Sequence, residues 1–190
     1  MNDKNLQQRL KEETAELHRE SEQHPLMQSF VTGSFKKEHL LDVLINLLPI
    51  YQVVEQRLIS KEIINNPELK RSINIQKDID KLVQDIGLGN RQVRKITSHW
   101  LSFSWSRKLD LLKGDLYLRW LADFYGGRIL AKSQAPYNET YASENPGAVI
   151  TTVRYILDQT SNDTTDDEIV EHTKGFFKFH IQLFEDIWTN

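Results

Sequence analysis

Residues 117–132 read YLRWLADFYGGRILAK. Apolar side chains recur at helical spacing across this stretch and its flanks, from Arg107 to Ser133. Gly126 and Gly127 interrupt it, where each glycine costs ~1 kcal/mol relative to alanine. A helix that keeps such a pair needs a compensating reason. One is a bend that lets a flat ligand approach the main chain within van der Waals distance, which any Cβ would prevent. The other is a close crossing with a second helix, and spacing alone leaves both open. Asp123, one turn before Gly127, adds a carboxylate among Leu121, Phe124 and Ile129, where burial without a partner is costly.

Working outward, helical periodicity covers the rest of the chain. Leu6, Leu10, Thr14, Leu17 and Ser21 predict one helix ending near His24-Pro25, because proline disfavours helix just before it. Leu40, Leu41, Leu44, Ile45, Leu48, Tyr51, Val54 and Leu58 extend a second pattern, which Pro49 should kink. Ile75, Ile79, Leu82, Val83 and Ile86 mark a third, with Gly87 placed to end it. Residues 91–104 read as helical, and another helix follows Pro146. Thr165 to Glu168 has capping-box spacing ahead of the run Ile169, Thr173, Phe176, Phe177, His180, Leu183, Phe184 and Ile187. No segment reads as a strand. The expectation is all-α, about seven or eight helices in a single domain spanning residues 1–190.

Composition supports this. Eight glycines and five prolines in 190 residues are few for a sandwich or barrel of many short strands. No cysteine is present, so disulfide frameworks, thiolate zinc sites, iron–sulfur clusters and cysteine nucleophiles are excluded together. The net charge of -3 gives no overall support to nucleic-acid or anionic-membrane binding, although local basic clusters are a separate matter. No stretch approaches the ~20 apolar residues of a membrane span, and a cytoplasmic location is expected.

Histidine is the strongest metal ligand left. The residues three before the six histidines are Ala15, Ser21, Lys36, Ile96, Ile169 and Phe177, so the Glu-x-x-His pairs of di-iron bundles are absent. His-Glu-x-x-His, G-x-S-x-G, P-loop and dinucleotide-binding patterns are absent too. His18 lies at the edge of the first helix's apolar face, two turns after Lys11 and one before Glu22. It is either a boundary histidine or a ligand whose other ring N–H is held by Glu22. A helix-borne histidine, a Gly-Gly helix with a nearby aspartate, and cations that reach carboxylates together describe a sandwich for a planar dianionic macrocycle such as haem.

Three stretches resemble the haem oxygenases, specifically the bacterial, biliverdin-producing type. LKEETAELH (10–18) looks like the proximal-helix motif, YLRWLADFYGGR (117–128) like the distal-helix motif usually read as Gly-Asp-Leu-Ser-Gly-Gly-Gln, and FFKFHIQLFED (176–186) like the last helix. The resemblance implies a haem-oxygenase-like bundle with a kinked Gly-Gly distal helix. It makes His18 the axial iron ligand, Glu22 its partner and Lys11 a propionate contact. Asp123 would hold a distal water network joined by Tyr117 and Arg119, with Gly126 and Gly127 over the haem. Arg154 and Tyr155 fall near a second propionate position.

The activity implied is cleavage of haem, at once substrate and cofactor, to biliverdin, carbon monoxide and ferrous iron. It uses molecular oxygen and electrons from an external ferredoxin, flavodoxin or reductase. Three departures bear on this. Ala122 stands where many members have glycine, Tyr125 where they have serine, and Arg128 where they have glutamine. Ala122 and Tyr125 keep open a haem-binding carrier or sensor on the same scaffold. A helical interaction domain without cofactor would treat His18 as a boundary residue and the glycines as a crossing point.

Overall fold

The computed structural model describes residues 4–60, 65–159 and 164–189, apart from the side chains of Ala122 and Asp123. These residues form α1 (Leu6–Glu13), α2 (Ala15–Gln23), α3 (Pro25–Thr32), α4 (Lys37–Arg57), α5 (Ser72–Ile86) and α6 (Lys95–Ser104). They continue with α7 (Leu112–Leu116), α8 (Ala122–Tyr125), α9 (Gly127–Ser133), α10 (Pro146–Asp158) and α11 (Asp166–Trp188). Among the described residues there is no strand.

α11 is the axis of the bundle, packed by α1, α2, α3, α4, α6 and α7. Its start is built as the sequence predicts: the Thr165 side chain accepts from the Glu168 N–H, and the Glu168 side chain returns to the Thr165 N–H. Three acidic residues in its first turn meet the positive end of the helix dipole. Leu183, Ile187, Phe176 and Phe184 from this helix join Leu41, Leu44, Tyr51 and Val54 of α4 in the main core. A smaller core of Leu6, Leu10, Ile169 and Val170 seats α1 on the start of α11. α4 runs through Pro49 as one helix, and Gly87 ends α5 at φ 74°, a conformation that favours glycine.

Three boundaries depart from the sequence pattern. The first helix is two, because the Thr14 hydroxyl donates to the Leu10 carbonyl at 2.6 Å and the chain leaves helical geometry at Thr14, with ψ 2°. Pro25, read as a terminator, also starts α3 from its first position, with His24 Nδ1 accepting from the Leu26 N–H at 3.1 Å. The stretch from Arg107 to Ser133 is not one helix. A 3-10 turn (Leu109–Leu111) leads into α7, a π-helical turn (Tyr117–Leu121) follows, and α-helical bonding breaks again at Gly126 between α8 and α9.

Candidate functional site

Four of the six histidines have structural occupations. His24 caps α3 and sets Nε2 3.1 Å from Glu185. His39 is buried against the Trp188 ring. His172 donates from Nε2 to Asp115 at 2.7 Å while its Nδ1 faces Arg107. His180 is enclosed by Phe176, Phe179 and Phe184, and burial, aided by the Arg119 charge, pushes its pKa down to about 3. His99 is exposed, edge-on to Phe103.

His18 differs from all of these. Its side chain is 53% exposed on α2, its Nδ1 lies 3.4 Å from Glu22, and its ring meets Phe177 of α11 edge-on at 5.9 Å. Nε2 makes no hydrogen bond among the described residues. One ring nitrogen is thus open and the other lies beside a carboxylate, an arrangement that suits a metal ligand.

Thr14, between α1 and α2, is tied to the 117–133 segment. The Tyr117 hydroxyl, its pKa raised by burial, hydrogen-bonds the Thr14 side chain. From that junction His18 lies one turn along α2, and Leu121 to Gly126 lie one to two turns along the other segment. Behind it, Arg119 Nε donates to the buried Tyr51 hydroxyl at 3.1 Å, and Tyr51 packs on Trp120 at 4.6 Å. Tyr117 and Arg119 are thus anchored by Thr14 and Tyr51, which helical periodicity marks only as face residues. Nothing local in the sequence distinguishes Tyr51 from its core neighbours. The side chains of Ala122 and Asp123 lie outside the described residues.

The glycine pair divides. A Cβ on Gly127 would come within 2.7 Å of the Tyr141 ring, so its bare main chain accommodates a close internal contact. Gly126 is exposed. Tyr125 is also exposed, and its hydroxyl accepts from Arg154 Nη2 at 2.7 Å, which ties α8 to α10. Gln7 of α1 donates to the Arg154 carbonyl at 3.5 Å and to Asp158 at 2.7 Å, and Lys11 lies one turn beyond Gln7. Lys11, Tyr125 and Arg154 therefore belong to adjoining helices, and all three are exposed, as is Tyr155. Among the described residues no group of three or more His, Cys, Asp or Glu is placed to hold a bare metal ion.

Solved structures with this architecture include heme oxygenase-1 from the cyanobacterium Synechocystis sp. PCC6803 in complex with heme. It matches at TM-score 0.83 and 20% identity, over 98% of this chain and 94% of that one. Heme oxygenase from Leptospira interrogans matches at TM-score 0.80 and 22% identity, over 96% and 100% of the two chains. A TenA homologue from P. horikoshii OT3 is a weaker neighbour, at TM-score 0.68 and 14% identity, over 98% and 99%. A search of curated protein sequences returned no match. At these identities the structures establish the fold; the family description "Heme oxygenase" matches residues 4–186, nearly the whole length. On that match, the chain belongs to the haem oxygenase family.

Proposed function

We propose that the chain binds haem and opens its ring as a haem oxygenase. The observation that carries this reading is His18, exposed on α2 with Nε2 open and Nδ1 beside Glu22, in a chain of this family. Haem would be both substrate and source of the redox iron; with molecular oxygen and electrons from an external donor such as a ferredoxin, flavodoxin or reductase, the products would be biliverdin, carbon monoxide and ferrous iron.

The protein's part is to bind, orient and supply protons. His18 Nε2 would ligate the haem iron, with the Glu22 carboxylate beside its other ring nitrogen. Lys11 and Arg154 would hold the propionates through charge-assisted hydrogen bonds. Gly126 lets the main chain approach the opposite face, while Gly127 is taken up by Tyr141. Asp123, whose side chain lies outside the described residues, would hold a distal water, and Tyr117, bonded to Thr14, and Arg119, anchored on Tyr51, would join the same polar network. The bond from Arg154 ties the Tyr125 phenol to α10.

Hemin added to the purified protein should produce a Soret band of histidine-ligated haem, and reductant in air should convert it to bilin absorbance. His18→Ala should change the axial signature, and Asp123→Ala should retain haem with a reduced bilin yield. An unshifted Soret band overturns haem binding. A stable band without bilin replaces the enzyme by a haem carrier or sensor.

A further inference from the structure

Between Asp85 and Asp110 the chain carries five of its 24 basic residues and none of its 27 acidic ones, against an overall charge of -3. The stretch also exposes Leu88, Phe103, Trp105 and Leu109, each 45–51% accessible. Phe103 ends the outer face of α6, and the chain turns back there, with the Ser106 and Arg107 N–H groups donating to the Phe103 carbonyl at 3.1 and 2.9 Å. That turn presents Phe103, Trp105 and Leu109 among Ser98, Ser102 and Ser106, all exposed.

Carboxylates from other elements neutralise only part of the charge. Asp42 is shared by Arg91 and Arg94, each at 3.2 Å, and Glu168 pairs with Lys108 at 3.1 Å. Lys95 is exposed without an ion pair among the described residues. Arg107 stacks 4.1 Å over the Trp100 ring beside His172. Asp115 acts on Arg107 as well, so five cations meet three carboxylates and the face keeps a positive surplus.

We propose that this face docks on an anionic phospholipid surface, with Phe103, Trp105 and Leu109 entering the headgroup boundary and Lys95 and Lys108 meeting phosphate groups. Aromatic and aliphatic tips set in a serine and cation background suit the depth at which Trp is enriched in bilayers. The three tips form a small protruding cap, well short of the ~800 Å² per side buried in a specific protein interface. This inference concerns a different face from His18 and does not depend on the haem reading.

The test uses the full chain with vesicles of phosphatidylcholine alone or mixed with phosphatidylglycerol. Sedimentation should carry the protein down with the mixed vesicles only, and added salt should release it. Trp105→Ser with Phe103→Ser should weaken binding roughly tenfold or more, and Lys95→Glu should weaken it several-fold, with far-UV circular dichroism unchanged in both. Quenching of Trp105 by brominated lipid would place the turn in the interface. Absence of binding to mixed vesicles overturns the proposal, as does undiminished binding of the folded Trp105→Ser/Phe103→Ser variant. Capture by an acidic protein surface without vesicle binding also overturns it, in favour of a protein partner.

Discussion

Gly114, Gly127 and Gly175 all sit in helical segments, and the structure assigns them unequal costs. An added methyl at Gly114 would overlap the Thr173 hydroxyl, because this glycine lets α7 lie directly on α11. One at Gly127 would press on the Tyr141 ring, whereas one at Gly175 meets nothing within 4 Å. Overpacking typically costs about 1–3 kcal/mol, and a glycine in an open helix interior is worse than alanine by roughly 0.5–1 kcal/mol. Gly114→Ala should therefore destabilise by at least about 1 kcal/mol in urea unfolding, with much of the loss recovered by adding Thr173→Ala, and Gly175→Ala should stabilise. Equal effects from the two single variants would contradict this packing. The sequence marks the Gly126-Gly127 pair as unusual but not what each glycine faces, since Tyr141 lies far along the chain and only the fold brings its ring to Gly127.

Helix positions were largely legible because apolar periodicity reports the buried face directly, and α5, α10 and α11 follow it. The breaks at Thr14 and across Tyr117–Leu121 were not, since a hydroxyl that turns back on its own carbonyl and a π turn leave the apolar spacing intact. α3 was hidden for another reason: an imidazole caps it, outside the usual Ser, Thr, Asp and Asn set. α11 carries a consequence for acid stability. His180 is held neutral, with a pKa of about 3 against 6.5 for an ordinary histidine. Below about pH 6.5 the unfolded chain takes up a proton that the folded chain refuses, so stability falls as pH drops from 6.5 toward 3. This one group contributes up to about 1.4 kcal/mol per pH unit. Unfolding free energies at pH 7.5, 6 and 5 should show that slope, and His180→Phe should flatten it; an unchanged slope in the variant would assign the acid sensitivity to other groups.

Across the whole molecule, the proposed site residues come from α1, α2, the 117–133 segment and α10, and the fold links these segments through contacts no motif contains. Thr14 to Tyr117, Gln7 to Arg154 and Arg154 to Tyr125 are the stitches. The proposed ligand-type residues can be named from the sequence because each carries its own chemistry, whereas their anchors are ordinary polar side chains whose importance lies in where the bundle puts them. A group gripped by four such segments should stabilise the folded state in proportion to its occupancy, because the unfolded chain cannot assemble the same partners. At a free hemin concentration one hundred times the dissociation constant, the linkage gain is about 2.7 kcal/mol. For a chain of this size that corresponds to a rise in Tm of roughly 5–10 °C. Calorimetry with and without hemin should show it in the native protein and in Gly175→Ala, which lies outside the site, while His18→Ala at the same hemin concentration should show a smaller rise. If hemin leaves the Tm of the native protein unchanged, the segments do not close on haem, and the stitches hold the bundle together for some other purpose.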